Sequence, residues 1–271
     1  LNVTNSGNET SLIRAAGNAG ILYIPSIGAK LRIEDIAATG TPGQVMFHQE
    51  YIWANKSQLR NEMSRMEAAG FKAIFIAIDN MNTVGIRDRS QRFTPFGDSG
   101  HSLNFTIDAL NELRSWTSLP IVPKGVKTAK GVKLCADLGF KAVYISNHGG
   151  RVLDGAPTAV EVLLDLHANY PEVFDQVEIY ADGGVRRGTN VLALLALGAR
   201  AVGLGRPPVF SNIFGQPGVE KMLSILRQEM VSEMQMLGLT DVNQWRGNTS
   251  LINTRKVEVE YFGAPVSGFG F

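Results

Sequence analysis

The chain has a single cysteine, Cys135, among 271 residues. One thiol excludes an internal disulfide framework and a zinc site built on cysteines. Charge of either sign is also scarce. Charged residues make up 19%, and 26 basic against 25 acidic side chains leave a net charge of +1. That balance gives no electrostatic footing for nucleic acid or an anionic membrane surface. No apolar run has the length of a bilayer span. No charged segment followed by an apolar one opens the chain as a signal peptide would. The expectation is an intracellular protein, cytoplasmic or organellar, with no targeting segment and no membrane span.

What the chain does have is apolar residues, at 44%, enough for a sizeable core. They gather in short runs: "GILYIPS" (20–26), "QVMFHQEY" (44–51), "KAIFIAID" (72–79), "LPIVPKG" (119–125), "KAVYISN" (141–147), "VEIYADGG" (177–184) and "AVGLGR" (201–206). Most are continuous rather than alternating, as in parallel strands buried on both faces. Helical patterns separate them. "NKSQLRNEMSRMEAAG" puts Leu59, Met63 and Met66 on one face and stops at Gly70. "TAKGVKLCADLG" opens on Thr128 as N-cap and stops at Gly139, and "GTNVLALLALG" opens at Thr189 and stops at Gly198.

A weak repeat runs through "AAGNAGILYI", "AAGFKAIFIA", "DLGFKAVYIS" and "ALGARAVGLG": helix end, glycine, strand. Alternating strands and helices argue for βα units and a parallel sheet. The α/β class expected is a (β/α)₈ TIM barrel. Seven candidate strands are present where that fold has eight, so the first is expected to be lacking in this chain. One domain is expected over 1–271, with a long loop at the barrel mouth over 80–118 and an extended C-terminal tail over 254–271.

In such a barrel the chemistry sits at the C-terminal ends of the strands. Those ends carry Ser26, Gln49 with Tyr51, Asp79, Lys124, Ser146 with His148, Asp182 and Arg206. Converging lysine, aspartate, histidine, tyrosine and arginine make one mouth the candidate site. Two stretches suit an anion. "ADGGVRRGTN" offers Gly183, Gly184 and Gly188 for close backbone approach, and "GLGRPPVF" offers backbone amides plus Arg206. Arg186 or Arg206 can fork a phosphate. "SNHGGRVLD" ends a strand in an imidazole, two glycines, a guanidinium and a carboxylate, more than a turn needs.

"SNHGGRVLD", "LPIVPKGV", "ADGGVRRGTNVLALLALGARAVGLGRP" and "FHQEYIW" together resemble blocks of the FMN-dependent α-hydroxy acid oxidases and dehydrogenases, in the same order, from about Ser11 to Gly238. That family includes glycolate oxidase, flavin L-lactate dehydrogenase and flavocytochrome b2. The resemblance implies a (β/α)₈ barrel with FMN as cofactor. It implies oxidation of an L-2-hydroxy acid of the lactate or glycolate class to the 2-oxo acid. It implies a homotetramer, with oxygen, a cytochrome or a quinone as electron acceptor.

Residue by residue, His148 matches the catalytic base and Asp79 the carboxylate that orients its imidazole. Arg151 and Arg87 match the pair that binds the substrate carboxylate, and Tyr51 the tyrosine that hydrogen-bonds the substrate. Lys124 matches the lysine beside flavin N1 and O2. Gln49 and Ser146 match groups at the isoalloxazine edge, and Asp182 matches the ribityl contact. Arg186, Gly205 and Arg206 match the phosphate site, where Gly183 and Gly184 also fall. The flavin-binding serine of the second strand falls at Pro25 or Ser26.

The chain departs from the family at Ala77, where a flavin-binding threonine stands, and at Asn80 and Met81, where a proline follows the aspartate. The family's first-strand turn and second substrate tyrosine have no match. Two other readings stay open here. One is a degenerate or truncated barrel acting as a binding or scaffold subunit. The other is a phosphate-binding barrel with Schiff-base chemistry on Lys124.

Overall fold

The computed structural model describes residues 8–79, 102 and 106–263. In chain order the main elements are α1 (Asn8–Asn18), α2 (Ile33–Thr39), β1 (His48–Tyr51), α3 (Lys56–Ala68), β2 (Ile74–Ala77), α4 (Ile107–Arg114) and β3 (Ile121–Val126). There follow α5 (Ala129–Asp137), β4 (Ala142–Ile145), α6 (Ala159–Asn169), α7 (Val173–Gln176), β5 (Glu178–Asp182), α8 (Gly188–Ala196) and β6 (Ala201–Gly203). The chain ends with α9 (Arg206–Ser211), α10 (Gly215–Met236) and α11 (Arg255–Phe262). They fall into two compact units, residues 1–124 with 205–224, and residues 125–204 with 225–271.

In the first unit β1 pairs in parallel with β2, from His48 opposite Ile74 to Tyr51 opposite Ala77. β2 pairs in parallel with β3, from Ile74 opposite Ile121 to Ala77 opposite Lys124. All four residues of β2 are buried, as its continuous apolar run requires. Helix α3 is capped by the Asn55 side chain, which accepts from the Gln58 amide. It buries Leu59, Met63 and Met66 completely, the stripe that spacings of four and three residues place on one face. The first apolar run does not become a full strand. It makes parallel bridges at Tyr23–Met46 and Ser26–Gln49 only. Pro25 lies between them; its carbonyl accepts from the Gln49 amide at 2.9 Å, but its nitrogen has no hydrogen to donate. Seven expected strands are therefore six strands and one bridged run.

In the second unit the Ser146 amide donates to Val126, the last residue of β3, at 3.2 Å. β4 pairs in parallel with β5, and β5 with β6. Thr128 caps α5 as expected, accepting from the Gly131 amide, and α6 opens on a full capping box between Thr158 and Glu161. Helix α8 begins at Gly188 rather than at Thr189 with a threonine cap. The amides of Arg186 and Arg187, just ahead of the helix, donate to Asn190 Oδ1 in its first turn, and the Gly188 amide donates to Glu229 Oε2 on α10. Gly188 is needed there, because a Cβ would lie 2.6 Å from the Met230 nitrogen and 2.7 Å from the Leu226 oxygen. Trp245 closes this core against Leu192, Leu195 and Ala196, its indole donating to the Leu192 carbonyl at 2.7 Å.

Two segments differ from the sequence expectation. Within the loop expected over 80–118, residues 107–114 form α4, capped by Thr106. Within the tail expected to be extended, residues 255–262 form α11, which packs against α6. Cys135 is buried, and burial pushes its thiol up to about 11, which keeps it a packing residue. Among the described residues no helix is long and apolar enough to cross a membrane.

Candidate active site

In the first unit Gln49 and Tyr51 lie on β1, Lys124 lies within β3, Asp79 stands two residues past β2, and Ser26 is on the bridged run. Ser26 is exposed, and its Oγ accepts from the Gly28 amide at 3.1 Å. Gln49 is buried, its Nε2 donating to the Glu50 carbonyl at 3.0 Å. Ala77 is fully buried, and Asp79, two residues on, is 4% exposed. Lys124 is half-buried and opposite Ala77 across the β2–β3 pair. Gly205 and Arg206, at the start of α9, are exposed. Arg87 lies outside the described residues.

Sequence reading passed over two neighbours of Gln49 and Tyr51. Glu50 is fully buried, and its Oε1 accepts from the Tyr51 amide and from Trp53 Nε1, each at 2.8 Å. Burial pushes its carboxyl up to about 8, against the pull of those donors, with the Glu62 charge adding to the rise. Glu50 thereby ties down the backbone of Tyr51 from the opposite face of the strand. His48 is also buried, and loss of hydration lowers its imidazole to about 4.

In the second unit the end of β4 is built around His148. It has φ 56°, and among the described residues no other non-glycine has positive φ. Gly149 (φ 68°) and Gly150 (φ 72°) continue the left-handed path. Such a conformation costs a side-chain-bearing residue on the order of 1 kcal/mol and persists only where neighbours impose it. The neighbours are the buried Ser146, whose Oγ accepts from the His148 amide at 3.1 Å, and Asn147, whose Oδ1 accepts from Gly150 at 3.1 Å. Arg151 follows, exposed, its Nε directed to the His148 carbonyl at 3.4 Å.

Of the chain's 4 histidines, His48 is buried and His101 lies outside the described residues. His167 stacks on Phe174 with ring centres 4.3 Å apart and pairs with the Leu197 carbonyl. His148 is the described histidine that follows the C-terminal end of a strand, and it is half-buried.

The end of β5 supplies an acceptor. Asp182 is half-buried, and its Oδ1 is enclosed without a hydrogen-bond partner among the described residues. Tyr144 on β4 donates its hydroxyl to the same carboxylate, and burial, with the Asp182 charge adding to it, holds that phenol well above its usual range. Gly183 (φ 104°) and Gly184 (φ 71°) follow, both exposed. A carboxylate oxygen buried without a donor is costly unless a ligand brings one. A chain of hydroxyls such as the ribityl of FMN brings that donor, so the residues present fit the group.

For the phosphate the fit is narrower than expected. In the second unit the Arg186 and Arg187 amides are taken by Asn190 and the Gly188 amide by Glu229, which leaves the backbone of Gly183 and Gly184 and the exposed Arg186 side chain for an anion.

Comparison with known proteins gives the same direction. A family model described as FMN-dependent dehydrogenase matches residues 1–100 and 92–253. An L-lactate dehydrogenase (cytochrome) of Wickerhamomyces anomalus is 32% identical over 273 residues, covering 92% of this chain and 47% of that protein. The chain thus spans about half the length of the cytochrome-type lactate dehydrogenases it matches. 2-Hydroxyacid oxidase 1 of Mus musculus is 33% identical over 266 residues, covering 86% of this chain and 71% of that protein. Among solved structures, the recombinant flavin-binding domain of baker's yeast flavocytochrome b2 has a TM-score of 0.85 at 31% identity, covering 97% of this chain and 68% of that one. A flavocytochrome b2 variant with pyruvate bound has a TM-score of 0.82 at 33% identity, covering 89% and 63%. Parallel β/α units in this order, with that likeness, give the α/β class of the (β/α)₈ barrel. The chain belongs to the family of FMN-dependent dehydrogenases.

Proposed function

We propose that this chain carries an FMN-dependent oxidation of an L-2-hydroxy acid, of the lactate or glycolate class, to the 2-oxo acid. The observation that carries the reading is His148, held in a left-handed conformation at the end of β4 by Ser146. Strain of this kind gathers where a side chain must be presented rather than packed. An imidazole nitrogen of His148 takes a proton from the substrate, and Asp79 has the role of stabilising the imidazolium. Arg151 and Arg87 hold the substrate carboxylate, a task suited to the planar guanidinium fork. Tyr51 hydrogen-bonds the substrate.

FMN would be held by Ser26, Gln49, Lys124, Ser146, Asp182, Gly183, Gly184, Arg186, Gly205 and Arg206. When bound, it supplies the acceptor for the two electrons of the substrate C–H bond. The Lys124 side chain would supply positive charge to that group as it takes up the electrons. The names of the relatives point to a cytochrome in one branch and an oxidase in another, so the acceptor is proposed to be a cytochrome or oxygen. A homo-oligomer is proposed from the family alone.

The test is turnover of L-lactate, glycolate and L-mandelate by the FMN-loaded full chain, with oxygen, cytochrome c and a quinone as alternative acceptors. Formation of the 2-oxo acid with one of them supports the reading. FMN binding without product from any acid overturns it. Failure to take up FMN at all favours a subunit that binds without catalysing.

A further inference from the structure

Tyr144, Tyr180, Asp182 and Gly203 lie on one face of three neighbouring strands. The register sets Tyr144 opposite Tyr180 and Asp182 opposite Gly203, and alternation along β5 keeps Tyr180 and Asp182 on the same side. The rings of Tyr144 and Tyr180 stack with centres 6.2 Å apart at 26°. Their hydroxyls go separate ways. Tyr180 donates to Glu178 at 2.9 Å, and Tyr144 donates forward to Asp182. Room for the second bond comes from Gly203, where a Cβ would fall 1.9 Å from the Tyr144 oxygen.

Resting on the FMN reading above, we propose that Tyr144 is a positioning residue for the ribityl chain: by donating to Asp182 it fixes the carboxylate so that the buried Oδ1 is presented to a ribityl hydroxyl. A carboxylate at a strand end is otherwise free to rotate, and its acceptor direction would be spread over several rotamers. The phenol is 5% exposed and packed against Tyr180, so the donor itself does not wander. Because burial, and after it the Asp182 charge, raise the phenol's pKa, Tyr144 keeps its proton throughout the neutral range. The role differs from packing: a phenyl ring would fill the same space and stack equally well, but would leave Asp182 unheld.

The experiment measures FMN dissociation constants by flavin fluorescence quenching. It uses the full chain stripped of flavin, as wild type, Tyr144→Phe, Asp182→Ala and the double variant, with thermal melts of each apoprotein. Should Asp182→Ala fail to fold, Asp182→Asn takes its place. Tyr144→Phe is expected to weaken FMN roughly tenfold, the loss of one hydrogen bond to a charged group. Asp182→Ala is expected to weaken it at least as much, and the double variant no further.

If Tyr144→Phe binds FMN like wild type, or weakens it by the same factor with and without Asp182, the positioning role is overturned and the FMN reading stands. If the Asp182 variant binds like wild type, the ribityl contact falls and this role with it. If wild type takes up no FMN, the underlying reading fails.

Discussion

The Tyr144 hydroxyl fills the space that a side chain on Gly203 would occupy, 1.9 Å from the position of a Cβ. The two residues are therefore coupled. Gly203→Ala must displace the phenol or the strand, and is expected to destabilise the fold by about 1–3 kcal/mol. Adding Tyr144→Phe removes the closest atom and leaves ring carbon Cζ, 3.1 Å away, as the next contact. The double variant should regain part of the loss in urea unfolding. A neutral Gly203→Ala would show that the strand edge yields freely.

His48 and Glu50 sit two residues apart on one face of β1, both buried, and their titrations oppose each other. Glu50 is raised from 4.5 to about 8, so the folded state holds its proton more tightly than the unfolded chain. Its stabilisation is complete below pH 4.5 and is lost as pH rises to about 8. His48 is lowered from 6.5 to about 4, so its contribution is complete above pH 6.5 and is lost as pH falls to about 4. Between pH 4.5 and 6.5 the two slopes offset. Unfolding free energy measured in urea should be flat there and then fall above pH 6.5, by up to about 1.4 kcal/mol per pH unit, until pH nears 8. Glu50→Gln, which keeps an acceptor for Tyr51 and Trp53, should remove the alkaline decline and leave the acid one.

Helix α8 starts hard against α10, since Met230 nitrogen, Leu226 oxygen and the Glu229 Cβ all lie within 2.7 Å of a Cβ at Gly188. Backbone atoms cannot rotate away. Gly188→Ala is expected to cost about 1–3 kcal/mol and lower the melting temperature. The amide bond to Glu229 offers a check. Glu229→Gln keeps an acceptor and should be mild, while Glu229→Ala should cost about 1 kcal/mol or more.

For the chemistry, His148→Gln removes the proposed base and keeps a residue that can still donate and accept. FMN uptake should be nearly unchanged. Reduction of the bound flavin by substrate should slow by a factor on the order of 10²–10⁴. Rapid-mixing absorbance under argon separates the two effects. Equal rates in both proteins would remove His148 from the proton-transfer role.

Local rules carried much of the fold into view. The stripe of Leu59, Met63 and Met66 and the Thr128 cap depend on residues three or four positions away, so the pattern is visible in a short window. Helix α8 escaped that logic because its first amide is met by Glu229, on another helix. The segment "KVEVEYF" alternates apolar and charged residues like a strand, yet residues 255–262 are helical against α6, a tertiary choice the period cannot show.

At the site, His148 was marked by the odd chemistry of its turn. Tyr144 was hidden inside an apolar run, where a tyrosine reads as one more buried ring. Glu50 and His48 were hidden because parallel strands are expected to bury only apolar residues, and the cost of burying two ionisable ones shows only once β1 is enclosed.

The most direct measurement is the visible absorption of the FMN-loaded chain before and after anaerobic addition of L-lactate or glycolate. The expected result is loss of the oxidised flavin band with the L-acid, no loss with D-lactate, and recovery of the band when an acceptor is admitted. A spectrum that shows stoichiometric flavin and stays oxidised with every 2-hydroxy acid would contradict the proposed activity.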